Sequence, residues 1–342
     1  MTGKVTISLL CYNAADTVLD TIQSVLAQTY SPIELIVTDN DSTDGCRESI
    51  RERYPQLELR ENAENEGYCR PHNAVFLASN TPYLMPLNSD IILSRDFVMQ
   101  LVRALGSSEQ IGWVTGKLKR IVDEERTNIL DSTGHTITKA RKINNRGFNE
   151  IDQGQYDTEE FIFGACGAAC MYKREMLESI RVGDEYFDES FFMSFEDGDV
   201  DWRAQLLGWS CIYTPRATAY HVRRFGLTQG SRLRQRVEFR NRYLMMLNND
   251  SALLFLGDSP HILLAELGNV VNVARHPYLL EELITVARLL PHTLSKRRII
   301  QSRKAVSEHD VHRWFYSYPP RRKIAAHFKK VLAGASAIRQ GR

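Results

Sequence analysis

The residues best suited to chemistry are acids that end strands or sit among apolar neighbours. Asn88-Ser89-Asp90 closes the apolar stretch Tyr83 to Leu87, and Glu196-Asp197-Gly198-Asp199-Val200-Asp201-Trp202-Arg203 follows the aromatic pair Phe191-Phe192. An Asp after a strand is commonly a turn former, and a run of carboxylates is commonly a solvated helix start. The second run, however, is embedded among Phe191, Phe192, Met193, Phe195, Trp202 and Leu206. Acids in apolar surroundings have raised pKa values and suit proton transfer. A third acidic run, Asp39 to Asp44, follows Ile33 to Thr38, and His221 follows Ser210 to Tyr213 and a turn expected at Pro215. A lone His is most often a hydrogen-bonded structural residue. Asp90 and His221 would nonetheless satisfy a divalent cation if a diphosphate supplied the remaining oxygens. Arg223 and Arg224 beside His221 oppose a bare cation and favour that diphosphate.

Strands alternating with helices must position these groups. Val5 to Leu10 is an almost wholly apolar run, as expected of a strand buried on both faces of a parallel sheet. Asp16 stands where a helix cap would, before Val18, Ile22, Val25 and Leu26 at helical spacing. Ile33 to Thr38 is read as a strand, Cys46 to Tyr54 as a helix, Leu57 to Arg60 as a strand, Asn73 to Ala78 as helical and Tyr83 to Leu87 as a strand. This alternation implies right-handed crossovers, a mainly parallel sheet flanked by helices, and ligands at the carboxyl ends of the strands. Tyr12-Asn13, Asp39 to Asp44 and Asn88 to Asp90 all fall there. Cys11-Tyr12-Asn13 stands where a dinucleotide-binding chain would carry Gly-x-Gly-x-x-Gly, and there is no Walker loop, which argues against NAD and P-loop chemistry. Residues 120–160, polar and rich in Asn, Asp and Arg, read as a long loop region over the sheet edge. Phe161 to Tyr172 is a small-residue segment suited to close approach. After Gln229 helices are expected to dominate.

Composition is that of a globular chain: 43% hydrophobic and 25% charged over 342 residues, which excludes disordered, collagen-like and coiled-coil classes. The formal net charge is +1, but from Ser251 onward Lys and Arg number 15 against 6 Asp and Glu. The division expected is a catalytic domain over 1–250 and a basic helical region over 251–342. Six scattered cysteines complete no zinc set. With no leader at Met1, reduced buried thiols and a cytoplasmic location are expected. No uncharged apolar run is long enough to span a membrane.

The ordered motifs resemble family 2 glycosyltransferases of GT-A fold, especially rhamnosyltransferase-like members, over about residues 4 to 250. They are Ser8 to Asn13, Val37 to Gly45, Asn65-Glu66-Gly67, Asn73, Leu87 to Asp90, Phe187-Asp188-Glu189, Glu196 to Asp199, Arg203, Gly208-Trp209 and His221. The resemblance implies a GT-A-type, Rossmann-like α/β domain. Its activity would be inverting transfer of a sugar, rhamnose among the candidates, from a dTDP- or UDP-linked donor to a glycan or polyprenyl-linked acceptor in cell-surface polysaccharide synthesis. By the same resemblance Tyr12 and Asn13 border the nucleobase and Asp39 hydrogen-bonds a pyrimidine. Gly67 lies close to the nucleotide, with Arg70 open to a phosphate or a surface role. Asn88-Ser89-Asp90 stands for the family's Asp-x-Asp element, with Ser89 at the donor and Asp90 and His221 as ligands of Mn²⁺ or Mg²⁺. Asp197 matches the catalytic base, Glu196 is second choice, and Asp199 with Arg203 is read as a structural pair. Asp201 has no assigned role.

In the C-terminal region, Leu253 to Leu256, Ile262 to Leu267 and Leu279 to Leu290 read as helices with wide apolar faces. Lys296-Arg297-Arg298, Arg303-Lys304, Arg321-Arg322-Lys323 and Lys329-Lys330 are interleaved with Trp314, Phe315, Tyr316 and Tyr318. Either this is a packing subdomain or it attaches peripherally to an anionic membrane surface. No nucleic-acid module is present. Three competitors to catalysis by transfer stand beside it: a non-catalytic nucleotide-sugar-binding or assembly protein, a nucleotidyltransferase, and a membrane-surface scaffold.

Overall fold

The computed structural model describes residues 3–223 and 231–317. Four strands, β1 (Val5–Cys11), β2 (Ile33–Asp39), β3 (Glu58–Glu61) and β4 (Tyr83–Asn88), lie parallel to their neighbours in the order β4-β1-β2-β3. The helices α1 (Val18–Leu26), α2 (Cys46–Arg53) and α3 (Cys69–Ala78) connect them. Register decides what these strands deliver: Cys11 stands opposite Asp39, and Leu10 opposite Asn88. The three polar strand ends therefore form one continuous rim. The helix after β1 begins at Val18, with Thr17 rather than Asp16 at its cap position and no side-chain cap bond.

The second half of the sheet is mixed. A short β5 (Ile91–Leu93) and α4 (Phe97–Leu105) lead to a long β6 (Ile111–Val122), and β7 (Glu125–Ser132) folds back antiparallel on it. β8 (His135–Thr138) and β9 (Ile143–Asn145) form a small second sheet. β10 (Glu160–Ile162) lies at the edge, and β11 (Cys170–Lys173) runs antiparallel between β4 and β6. After α5 (Arg174–Ile180) and α6 (Glu196–Leu206), β12 (Ser210–His221) pairs parallel with β6.

Two expectations fail here. Residues 120–160 are not a long loop: they hold β7, β8 and β9. Asp131, Ser132, Thr133 and His135 are buried here and hydrogen-bonded within the protein, so the alternation that marks an amphipathic strand is missing. Nor does the chain turn at Pro215; β12 continues through an irregularity between Tyr213 and Thr218. That continuation carries His221 to the strand's end.

Two apolar clusters fill the structure. One contains Val5, Ile7, Leu9, Ile22, Phe97 and Leu101; the other contains Phe76, Trp113, Phe187, Phe191, Trp202 and Met245. Of the remaining helices α7 (Arg232–Asn249), α8 (Ala252–Gly257), α9 (Ser259–Arg275), α10 (Leu280–Ser302) and α11 (Glu308–His312), all but α9 place residues in or against the second, and β13 (Phe315–Tyr316) joins β8. Phe315 is buried edge-on against Trp202, and Trp314 donates to Gln205. These aromatic residues face the protein. Arg297 donates to the carbonyls of Leu247 and Asp250, and Arg303 to that of Arg181. Tyr318, Arg321-Arg322-Lys323 and Lys329-Lys330 lie outside the described residues. α9 instead shows Leu263, Leu264, Leu267 and Val270 outward, each between 63% and 71% exposed.

Lys296 ties α10 to the body: its Nζ lies 2.7 Å from Asp188 and 2.6 Å from Glu185. Burial opposes the charged form of Asp188, but Lys296 outweighs it and lowers the carboxyl below its usual range. The stabilisation from a lowered carboxyl is complete above its ordinary pKa and is lost as pH falls through the lowered value. Lys296→Met is expected to destabilise the fold by about 3–5 kcal/mol near neutrality by leaving Asp188 buried and unpaired. Urea unfolding at a series of pH values should show that difference shrinking through the carboxylate range near ~4.

Candidate active site

At the rim, Asp39 is fully buried at the end of β2. Its Oδ1 accepts the Ser42 N–H at 3.0 Å and lies 3.6 Å from Arg47, and its Oδ2 receives the Cys11 thiol at 3.5 Å. Asn13 adopts a left-handed φ of 49° and accepts the Thr43 N–H through Oδ1. Tyr12 beside it is half-buried. Asn40, which the sequence reading passed over, knits the loops together. It donates to Asn65 and to the Gly67 carbonyl, and accepts from Asn62 and the Glu66 N–H. Gly67 has φ of 75°, and a Cβ there would lie 2.4 Å from the Phe192 carbonyl. Its glycine is required by that contact. Arg70 is half exposed and pairs with Glu189 at 3.1 Å and Glu66 at 3.7 Å.

Asp90 follows β4, and its Oδ1 lies 3.2 Å from His221 Nε2. The other imidazole nitrogen, Nδ1, contacts Asp131 Oδ2 at 2.7 Å, and Arg223 also binds Asp131. Burial alone would push His221 down; Asp90 and Asp131 outweigh it and raise the imidazole to about 10. Two carboxylates around one imidazole demand positive charge, supplied either by a proton or by a cation. The donor set fits a divalent ion: a carboxylate and an imidazole nitrogen face each other, and a second carboxylate orients the ring, as around metal-bound histidines. Ser89 adjoins this pair and accepts the Thr21 hydroxyl through its carbonyl. Arg224 lies outside the described residues.

The acidic run opens α6. Phe192, Ser194 and Phe195 immediately before it have φ of 64°, 65° and 73°, conformations that cost non-glycine residues about 1–3 kcal/mol each. Asn241 of α7 holds this turn by donating to the carbonyls of Phe191, Met193 and Ser194. Asp197 emerges with Oδ2 accepting the Gly167 N–H at 3.0 Å and Oδ1 its neighbour Gly198's N–H at 2.8 Å. The adjoining Ala168 carbonyl accepts the Asn88 N–H, so Asp197 and the Asn88-Ser89-Asp90 element are joined through one short segment. Glu196 is buried, and its Oε2 has no partner among the described residues. Burial and the Asp197 charge push its carboxyl well above the usual range, which suits it to the neutral form. Asp199 meets Arg203 at 2.8 Å, the structural pair its spacing suggests.

Sequence reasoning missed Asp131 and His135 because both lie in the stretch read as loop. A signal was present: β-branched residues flank Gly134 in Thr127 to Thr138, a pattern of strands broken by a turn. Gly134 takes φ of 110°. All six cysteines are free and buried. No helix among the described residues is long and apolar enough to cross a membrane.

The profile of glycosyl transferase family 2 matches residues 6–181. The chain is 27% identical over 224 residues to a poly-beta-1,6-N-acetyl-D-glucosamine synthase of Staphylococcus aureus (strain MSSA476), covering 63% of this chain and 49% of that protein. A Staphylococcus epidermidis protein of the same name is 26% identical over 219 residues, covering 62% and 48%. The chain thus spans about half the length of the curated relatives it matches. Among solved structures, GalNAc-T7 with UDP, GalNAc and Mn²⁺ superposes with a TM-score of 0.57 at 13% identity, covering 72% of this chain and 48% of that one. The mannosyltransferase PcManGT of Pyrobaculum calidifontis, with GDP-Man and Mn²⁺, gives 0.52 at 15%, covering 89% and 86%. S. aureus TarS 1–349 with UDP-GlcNAc gives 0.51 at 17%, covering 76% and 70%. With the profile match spanning half its length and these GT-A glycosyltransferases sharing its fold, the chain belongs to glycosyl transferase family 2.

Proposed function

We propose that this enzyme is an inverting glycosyltransferase that moves a hexosyl or deoxyhexosyl group, rhamnose among the candidates. The donor is a dTDP- or UDP-linked sugar, and the acceptor a glycan or polyprenyl-linked hydroxyl in polysaccharide assembly. One observation carries the reading: Asp197 and Asp90 are held at two ends of a single rim, joined through Gly167-Ala168 and the end of β4. The donor lies along Tyr12, Asn13, Asp39 and Gly67, with Ser89 and Asp90 toward its diphosphate. Arg70, engaged by Glu189, serves the donor only by leaving that partner.

In the transfer step the acceptor oxygen bonds to the anomeric carbon as the bond to the diphosphate breaks, and Asp197 takes the hydroxyl proton. Asp197 is preferred to Glu196 because its two oxygens are oriented by the N–H groups of Gly167 and Gly198, whereas Glu196 is buried with an unpartnered oxygen. Asp90 and His221 would hold Mn²⁺ or Mg²⁺, and the ion's chemistry, when bound, is to neutralise charge on the departing nucleoside diphosphate. GalNAc-T7 and PcManGT, solved with Mn²⁺, and TarS, solved with UDP-GlcNAc, support a metal and a nucleotide sugar. The relatives named as polysaccharide synthases support the setting.

The C-terminal region is assigned to peripheral attachment at an anionic membrane surface, through the outward leucines of α9 together with the basic excess beyond Ser251. This attachment places the protein at the inner face of the plasma membrane. No nucleic acid is involved.

Asp197→Asn is expected to lower kcat by about 10²–10⁴-fold while donor affinity, read by calorimetric titration, stays within twofold; full turnover would remove the base assignment. Asp131→Asn should raise the Mn²⁺ concentration for half-maximal transfer by about 10–100-fold through loss of ring orientation, and exhaustive chelation should stop transfer altogether. Sedimentation with phosphatidylglycerol vesicles is expected at low salt, with loss in 1 M salt and on Leu264→Glu; phosphatidylcholine vesicles should retain little protein.

A further inference from the structure

Behind Asp197 lies a second carboxylate whose bonds are all internal. Asp201 is fully buried; its Oδ1 accepts the Trp113 indole N–H at 2.8 Å and the Ala165 N–H at 3.0 Å. Its Oδ2 meets His135 Nδ1 at 2.8 Å. The ring's other nitrogen, Nε2, lies 3.5 Å from Asp197 Oδ2. Both carboxylates come from α6, four residues apart and so on one face of the helix, and His135 stands at the start of β8, itself fixed by its N–H to the Gly164 carbonyl at 2.7 Å. Space is reserved for this arrangement. A Cβ on Gly164 would lie 1.8 Å from Asp201 Oδ2.

We propose that His135 is a positioning residue for the Asp197 base: a buried cation braced by Asp201 that fixes Asp197 and keeps its carboxylate ready for the acceptor hydroxyl. The proposal rests on the assignment of Asp197 as base. Its logic is electrostatic. Asp197 stands next to buried Glu196, and two such acids in one dry place would share a proton. A cation 3.5 Å from Asp197 Oδ2 leaves Glu196 as the acid of the two that burial and its neighbour's charge push up. The groups facing His135 are Asp197 and Asp201 on α6 and Cys166 before β11, with the charges of Glu196 and, beyond it, Arg234. Burial works against the imidazolium, and the two aspartates outweigh it and hold the ring well above its ordinary value. Because Asp201 has its acceptor sites filled, it orients the ring and does not carry the proton onward.

The test uses NMR on the full chain without substrate. Nitrogen-15 spectra of labelled histidines at pH 7 should show His135 protonated on both nitrogens; a neutral ring would overturn the proposal. The Asp197 carboxyl carbon-13 shift at pH 7 should differ between His135→Gln and the parent, and an unmoved shift in the folded variant would also overturn it. Asp201→Asn, which keeps the ring, gives the same comparison where His135→Gln does not fold, with a smaller change expected. The two readings separate cleanly. Turnover by Asp197→Asn rejects the base, whereas an inactive Asp197→Asn with a neutral His135 rejects only the positioning role.

Discussion

A carboxylate removed from water must be met by a cation or by N–H donors, and this requirement organises the molecule. Asp39 has Ser42 N–H and Arg47, Asp131 has His221 and Arg223, Asp188 has Lys296, Asp199 has Arg203, and Asp201 has His135 with Trp113. The pairings of Asp131, Asp188 and Asp201 join segments distant in sequence, whereas those of Asp39 and Asp199 are local. The sheet supplies the rim, but these pairings fix where loops and helices stand relative to it. Among the described residues Glu196 is an exception, buried with an unpartnered oxygen directly beside Asp197.

The same requirement explains the C-terminal helices. They close over α6 and α7 through charge exchanged in both directions: Lys296 of α10 pairs with Asp188, while Arg141, just before β9, pairs with Asp250 at the end of α7 and with Asp258 between α8 and α9. A region that counts as basic in sequence thus spends part of its charge inward. What α9 turns outward is apolar at Leu263, Leu264, Leu267 and Val270.

Much of this was legible from the sequence. Buried parallel strands show as unbroken apolar runs, so β1, β2 and β4 and the polar groups at their ends could be located, and the ordered motifs supplied the family. Residues 120–160 could not be read the same way. Their strands bury Asp131, Ser132, Thr133 and His135, and a buried polar residue is indistinguishable from a surface one until its partner is known. Asp201 had no assigned role for the same reason, since His135 lies 66 positions away. Pro215 suggested a turn because proline seldom continues a strand; an irregularity in β12 accommodates it.

Gly164 shows how such an arrangement constrains change through time. With a side chain at 164 the Asp201 carboxylate has no room, and without Asp201 the His135 ring loses its brace and faces Asp197 alone. Asp201 without His135 would in turn be a buried acid short of its cation. The three positions can therefore be kept together or abandoned together, but intermediate combinations are penalised. Among descendants of this chain, glycine, histidine and aspartate at 164, 135 and 201 should be inherited as one character, although no two of them are adjacent in the sequence.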